Sequence, residues 1–161
     1  MNDEVDLLVA AWKRERPDLD VAPLEVLSRI TRLARQLDIA RRAAFAEHGL
    51  ETWGFDVLAA LRRAGSPYQL TPGQLIHENL VTSGTITNRL DRLESDGLLA
   101  RYPDPSDGRG TLVRLSNKGI NVVDAALEDL LNREKELLKS LKGVEREELA
   151  KYLSRMLYQF E

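Results

Sequence analysis

The sequence predicts a mainly α-helical fold that carries one small β-hairpin. Three observations predict it. Apolar residues recur at helical spacing over most of the 161 residues. Two short segments near the middle each open on a hydroxyl residue suited to capping a helix. One pair of β-rich stretches flanks a run of pure turn chemistry, PDPSDGRG. A lone hairpin among helices places the chain in the mostly-α class.

The elements follow in order. Residues 1–16 set Val5, Leu7, Leu8, Ala11 and Trp12 at helical spacing and end in Lys13-Arg14-Glu15-Arg16, where Pro17 stops the pattern. After an acidic, Pro-bounded linker, Leu24, Leu27, Ile30, Leu33, Leu37, Ala40 and Ala44 form a stripe on a long helix, with Gly49 as its cap. That stripe is longer than a small domain can cover. Residues 52–64 predict another helix, stopped by Gly65-Ser66-Pro67. Thr71 then caps a short helix from Pro72 to about Asn79, and Pro72 sits where a missing N–H does no harm. Residues 80–82 turn the chain to Ser83, read as the cap of a helix over 84–96 that Gly97 ends. Residues 98–102 and 111–115 are the hairpin strands. Ser116 caps a long helix bearing Val122, Val123, Ala126, Leu127, Leu130, Leu131, Leu137, Leu138 and Leu141, and residues 144–160 add a last one with Leu149, Leu153, Leu157 and Phe160.

Composition narrows the function classes. At 43% hydrophobic and 30% charged the chain is globular rather than disordered. Zero cysteines exclude disulfides, thiolate zinc sites, iron–sulfur clusters and a Cys nucleophile. No apolar run approaches the ~20 residues of a membrane span, so a cytoplasmic protein without membrane partners is expected. Lys plus Arg is 23 against 26 Asp plus Glu, a net charge of −3 that does not advertise nucleic acid. Between residues 71 and 119 six basic side chains balance six acidic ones. The two histidines, His48 and His77, lack supporting carboxylates in sequence and suggest no metal site. No phosphate-binding Gly motif, catalytic constellation or cofactor motif is present, so no catalytic residue and no cofactor is assigned.

Two short helices joined by a tight turn and followed by a hairpin outline a winged helix-turn-helix. The second helix can be phased. Ile86, Leu90 and Leu93 lie within about 60° of one another at 100° per residue, a buried stripe. Gly84, Asn88, Asp91, Arg92 and Ser95 point away from it, and Thr85, Thr87 and Arg89 lie on the flanks. Small hydroxyls, an amide, a Gly and Arg suit a major groove, where Asn pairs with adenine and Arg with guanine or phosphate. An ordinary solvated amphipathic helix shows the same pattern. The hairpin tip places Arg109 between glycines with Asp107 beside it, a probe for a narrow minor groove or a phosphate, or a plain surface turn. The DNA-binding set is therefore Thr82, Ser83, Gly84, Thr85, Thr87, Asn88, Arg89, Arg92, Asp107 and Arg109, on double-stranded DNA.

These residues carry a resemblance. The stretch 70–119 resembles the DNA-binding lobe of the multiple-antibiotic-resistance regulator (MarR) family. The wing signature D-x-R followed by L-[ST]-x-x-G stands here as Asp107-Gly108-Arg109 and Leu115-Ser116-Asn117-Lys118-Gly119, and R-L-x-x-L-E-x-x-G-L as Arg89 to Leu98. The flanking helices match the family's dimerisation lobe. The resemblance implies a homodimeric, ligand-responsive transcription regulator, usually a repressor, reading a pseudo-palindromic operator. It divides the chain into an extra helix and dimerisation helix over 1–50, a winged helix-turn-helix over 51–116, and C-terminal dimerisation helices over 117–161.

The N-terminal helix ending near Trp12 is similar to the extra helix of the family's urate-responsive branch, the group that includes pectinase-gene regulators. In that branch a purine-type anion is associated with residues matched here by Trp12, Asp56, Arg89 and Arg101. A flat heteroaromatic anion wants a stacking surface, cationic donors and an acidic partner, which this set supplies. Trp12 packing onto the dimerisation lobe, and Asp56 paired structurally with Arg89 or Arg101, are the alternatives. Trp53 is assigned to the core and Tyr102 to packing within the hairpin. A purely structural helical dimer is the rival reading, and the exposed Thr/Asn/Arg face and Arg109 argue against it.

Overall fold

A computed structural model of the chain describes residues 2–107 and 110–160. The chain divides between Arg41 and Arg42 into two compact units.

The first unit holds helix α1 (Glu4–Glu15) and most of helix α2 (Ala22–Ala46). Asp3 caps α1: its carboxylate accepts from the amides of Val5 (2.8 Å) and Asp6 (3.1 Å), while Asp6 accepts from the amide of Asp3 (2.8 Å). This reciprocal arrangement satisfies orphan donors at the helix start. Arg29 of α2 then donates to both carboxylates, at 2.8 Å to Asp3 and 2.7 Å to Asp6. The Arg29 hydrogen bond holds the Asp3 carboxyl below its ordinary value. For Asp6 the backbone bond from Asp3 leads, with Arg29 second. Val5, Val9 and Val21 form a small buried cluster beneath, with Leu8 and Leu24 packed against it.

In the second unit, α3 (Thr52–Arg63) is the central helix, because its sequence is apolar nearly all round. Phe55, Val57, Leu58 and Leu61 are buried, and Phe55 stacks on Phe45 with ring centroids 4.0 Å apart. Strand β1 (Gln69–Leu70), α4 (Pro72–Asn79), α5 (Ser83–Ser95), strands β2 (Leu99–Pro103) and β3 (Thr111–Leu115), α6 (Asn117–Leu137) and α7 (Gly143–Leu157) follow, with a single 3₁₀ turn at 158–160. Thr71 and Gln74 close a capping box at the start of α4, with Pro72 in its first turn.

Two sequence expectations change. Thr82, not Ser83, caps α5: Thr82 is extended, and its hydroxyl accepts from the Thr85 amide, so the helix starts one residue earlier. The hairpin is also part of a three-stranded antiparallel sheet ordered β1-β3-β2. Gln69 pairs with Arg114 and Leu70 with Val113 on one edge of β3, while Leu99 to Pro103 pair with Leu115 to Thr111 on the other.

The end of α5 is fastened to the start of α6. Gly97 turns the chain at φ +71°, a conformation glycine adopts without strain. The hydroxyl of Ser116, the α6 cap, donates to the Gly97 carbonyl (2.7 Å), Lys118 donates to the Asp96 carbonyl (2.7 Å), and the Ser116 amide donates to the Leu98 carbonyl (3.1 Å). Gly119 lets α6 lie directly on that turn, since a Cβ there would stand 2.0 Å from the Leu98 oxygen.

Much of the helical apolar surface is uncovered. Leu27, Leu33 and Leu37 of α2 and Leu127, Leu131 and Leu137 of α6 are exposed. Helix α7 buries none of its residues, and Tyr152, Leu157 and Phe160 stand open to solvent. No helix among the described residues is long and apolar enough to cross a membrane.

Candidate nucleic-acid interface

Helix α5 buries Ile86, Leu90 and Leu93 against the core, as its phase requires. Ser83, Gly84, Thr87, Asn88, Asp91, Arg92 and Ser95 are exposed, and Thr85 and Arg89 are half-buried at the edge. Local bonds engage several hydroxyls. Thr82 and Thr85 share a hydroxyl–hydroxyl contact of 2.9 Å, and Thr87 donates to the Ser83 carbonyl at 3.0 Å. Nothing lies within 4 Å of a Cβ built on Gly84, so the first turn of α5 presents bare backbone. The turn before it holds Leu80 left-handed at φ 50°, with 90% of its surface exposed.

The two arginines of α5 share one neighbour. The guanidinium carbon of Arg92 lies 4.7 Å from the centroid of the Trp53 ring, over its face, and that of Arg89 lies 5.7 Å away. Trp53 is half-buried and packs against the core, as expected, but its ring also serves this cationic edge. Glu51 accepts from the indole N–H of Trp53 and from Arg92 at 2.7 Å. The Trp53 bond first, and Arg92 second, hold the Glu51 carboxyl below its ordinary value.

Arg101 braces the sheet to α5. From β2 it donates to Asp91 (2.7 Å) and to Glu94 (2.8 Å), and Glu94 also accepts the Arg101 amide (2.9 Å). Nη2, which binds Asp91, also reaches toward the Thr87 carbonyl at 3.4 Å. Asp56 is half-buried on α3 and lines a surface cavity with Arg63, Glu78, Asn79 and Leu80. Asp56, Arg89 and Arg101 belong to the second unit, while Trp12 is half-exposed on α1 in the first.

In the wing, Asp107 is exposed, and Arg109 lies outside the described residues together with Gly108. At the start of the wing loop Asp104, which carries no assignment from sequence, makes a local turn. Its carboxylate accepts from the Ser106 amide (2.8 Å) and hydroxyl (2.7 Å), bonds that lower its pKa. The signal was present as an Asp two residues before a Ser inside a Pro-rich turn. Tyr102 is exposed, with the Arg114 guanidinium 5.1 Å from its ring centroid. His48 approaches Asp129 at 3.8 Å.

Residues 48–110 match the model of the MarR family. The chain is 35% identical to the HTH-type transcriptional regulator PecS of Dickeya dadantii, over 95% of this chain and 92% of that protein. Its structure is similar to that of wild-type MarR from E. coli in the apo form, with a TM-score of 0.71 and 28% identity, covering 86% of this chain and 99% of that one. A mutant MarR from E. coli complexed with operator DNA gives a TM-score of 0.70 and 29% identity over 85% and 95% of the two chains.

Proposed function

The chain belongs to the MarR family of transcriptional regulators, and from that premise we propose that it is a cytoplasmic, homodimeric repressor that reads a pseudo-palindromic operator through α5 and the wing. It is a regulator, not an enzyme. The observation that carries the reading is the split character of α5: Ile86, Leu90 and Leu93 are sealed in the core while Gly84, Thr87 and Asn88 stand exposed beside two arginines. Asn88 and the arginines supply base-edge and phosphate donors, and bare Gly84 permits close approach. In this reading residues 51–116 contact DNA, and 1–50 and 117–161 dimerise. The uncovered apolar stripes of α2, α6 and α7 supply the surface a two-fold interface buries. Two recognition helices about 34–36 Å apart then address successive turns of one DNA face.

A small aromatic or purine-type anion such as urate releases the DNA, with Trp12, Asp56, Arg89 and Arg101 as its residues. Support comes from the brace at Arg101. A structural pair of Asp56 with Arg89 or Arg101 is one alternative from sequence; at Arg101 the carboxylates in place are Asp91 and Glu94 of α5 itself. An anion that takes Arg101 frees two carboxylates on α5 and loosens the helix from β2. A tenfold loss of DNA affinity needs about 1.4 kcal/mol of unequal binding to the two arrangements.

The test is a mobility shift with the DNA immediately upstream of the chain's own gene, repeated with urate. Asn88→Ala is expected to lose about 1–3 kcal/mol on that DNA and to relax base preference. Failure of the wild type to shift upstream DNA better than random DNA sinks the regulator reading. A shift that urate leaves intact sinks only the choice of urate. Trp12→Phe and Arg101→Gln variants that respond like the wild type would move the ligand elsewhere.

A further inference from the structure

We propose that Trp53 is a positioning residue that presets Arg89 and Arg92 for DNA, with Glu51 as the counter-ion that DNA must displace. The proposal rests on the DNA-binding reading above and adds a residue outside α5 and the wing.

Arg89 and Arg92 are three residues apart and so share one edge of α5. Both guanidinium carbons lie within the ~6 Å of a ring centroid at which a cation is held by an indole face. A guanidinium that meets the ring with its face keeps its in-plane N–H donors for other partners. Trp53 is itself held, because its ring packs against the core cluster and its N–H is bound by Glu51. A rigid aromatic plate thus restrains two long, rotamer-rich side chains before DNA arrives, which lowers the ordering cost of binding.

Glu51 works in the opposite direction. It occupies the N-cap position of α3, yet its side chain makes no capping bond. Its carboxylate is turned to Trp53 and Arg92 instead. Arg92 must therefore exchange Glu51 for a phosphate or base. Any duplex meets that opposition, and only a site offering Arg92 a well-placed acceptor repays it. The pair Trp53 and Glu51 then sharpens discrimination: one orders the arginines, the other suppresses indiscriminate phosphate binding.

The test is fluorescence anisotropy with two labelled duplexes, the DNA upstream of the chain's gene and a shuffled sequence of equal length, over a range of salt. Trp53→Leu is expected to weaken binding to the upstream duplex about tenfold, a 1.4 kcal/mol effect, and Trp53→Phe less than threefold. In an Arg89→Ala/Arg92→Ala background, Trp53→Leu should add nothing, because its role runs through those side chains. Glu51→Gln should strengthen binding to the shuffled duplex more than to the upstream one and steepen the salt dependence by about one phosphate contact. Equal losses from Trp53→Leu in both backgrounds would mean that it acts through the fold, and the proposal falls. If Trp53→Leu does not fold, Glu51→Gln decides: it is an exposed position, and unchanged affinity and salt slope there overturn the proposal. A wild type that binds neither duplex fails the DNA-binding reading first, a result distinct from a wild type that binds while the variants match it.

Discussion

Replacing Gly119 with alanine inverts an ordinary expectation. Gly119 lies in the first turn of α6, and Gly→Ala inside a helix normally stabilises by about 1 kcal/mol. Here the new Cβ would stand 2.0 Å from the Leu98 oxygen and 3.0 Å from its carbonyl carbon. Real Cβ atoms essentially never come closer than 3.0 Å, so α6 must retreat from the α5–β2 turn by about 1 Å. That retreat strains three bonds between the same segments: Ser116 amide to Leu98, Ser116 hydroxyl to Gly97, and Lys118 to Asp96. Each contributes about 1 kcal/mol, and overpacking adds about 1–3 kcal/mol. After the helical gain is subtracted, the expected loss is about 3–5 kcal/mol. Urea unfolding followed by circular dichroism, at one fixed protomer concentration, measures it. An alanine variant as stable as the wild type, or more so, refutes the reasoning.

Gly84 is the counterpart, because its Cβ would meet nothing within 4 Å. Gly84→Ala should leave stability unchanged or raise it by up to about 1 kcal/mol while weakening operator binding by about 1–3 kcal/mol; thermal melts and mobility shifts read the two separately. The Asp3–Asp6–Arg29 cluster predicts acid sensitivity in α1. Both carboxyls are depressed in the folded state, so their stabilisation is complete above the ordinary value of 3.8 and is lost as pH falls below it. Far-UV ellipticity should drop over that range, and Arg29→Met should shrink the drop; identical acid profiles would contradict the assignment. Leu157 is exposed on a helix that buries nothing, so Leu157→Glu should leave protomer folding intact and shift the protein to monomer in light scattering. A dimer that persists unweakened in that variant would place the interface away from α7.

Local chemistry was legible where one residue decides. Thr71, Pro72 and Gln74 fix the start of α4, and its bounds agree to the residue. At α5 two hydroxyls stood side by side, and the choice between Thr82 and Ser83 depended on which one meets the Thr85 amide. Strand β1 has two residues, too few to show a period, and exists because β3 offers it an edge. The phase of α5 was readable because burial alone determines it. The partners at its edges were not. Trp53 shows as an apolar residue in sequence, and only the packing of α3 beside α5 brings Arg89 and Arg92 to it. Asp91 and Glu94 stand three apart on α5, but only the register of β2 delivers Arg101 to them. Charge arithmetic was silent throughout, since the lobe is neutral and its function resides in where each charge is tethered.

The central position of β3 has a topological consequence. The chain enters the segment 71–98 from β1 and leaves it into β2, and both of those strands are laced to β3. Helices α4 and α5 are therefore a loop whose two ends are clasped by one strand. Neither end can drift alone without breaking ladder bonds, so the pair travels as a cassette. A displacement of β3 is felt at both ends of the pair. Loosening α5 from β2 at Arg101 would therefore act on one end of the cassette while β1 keeps the other end laced to β3.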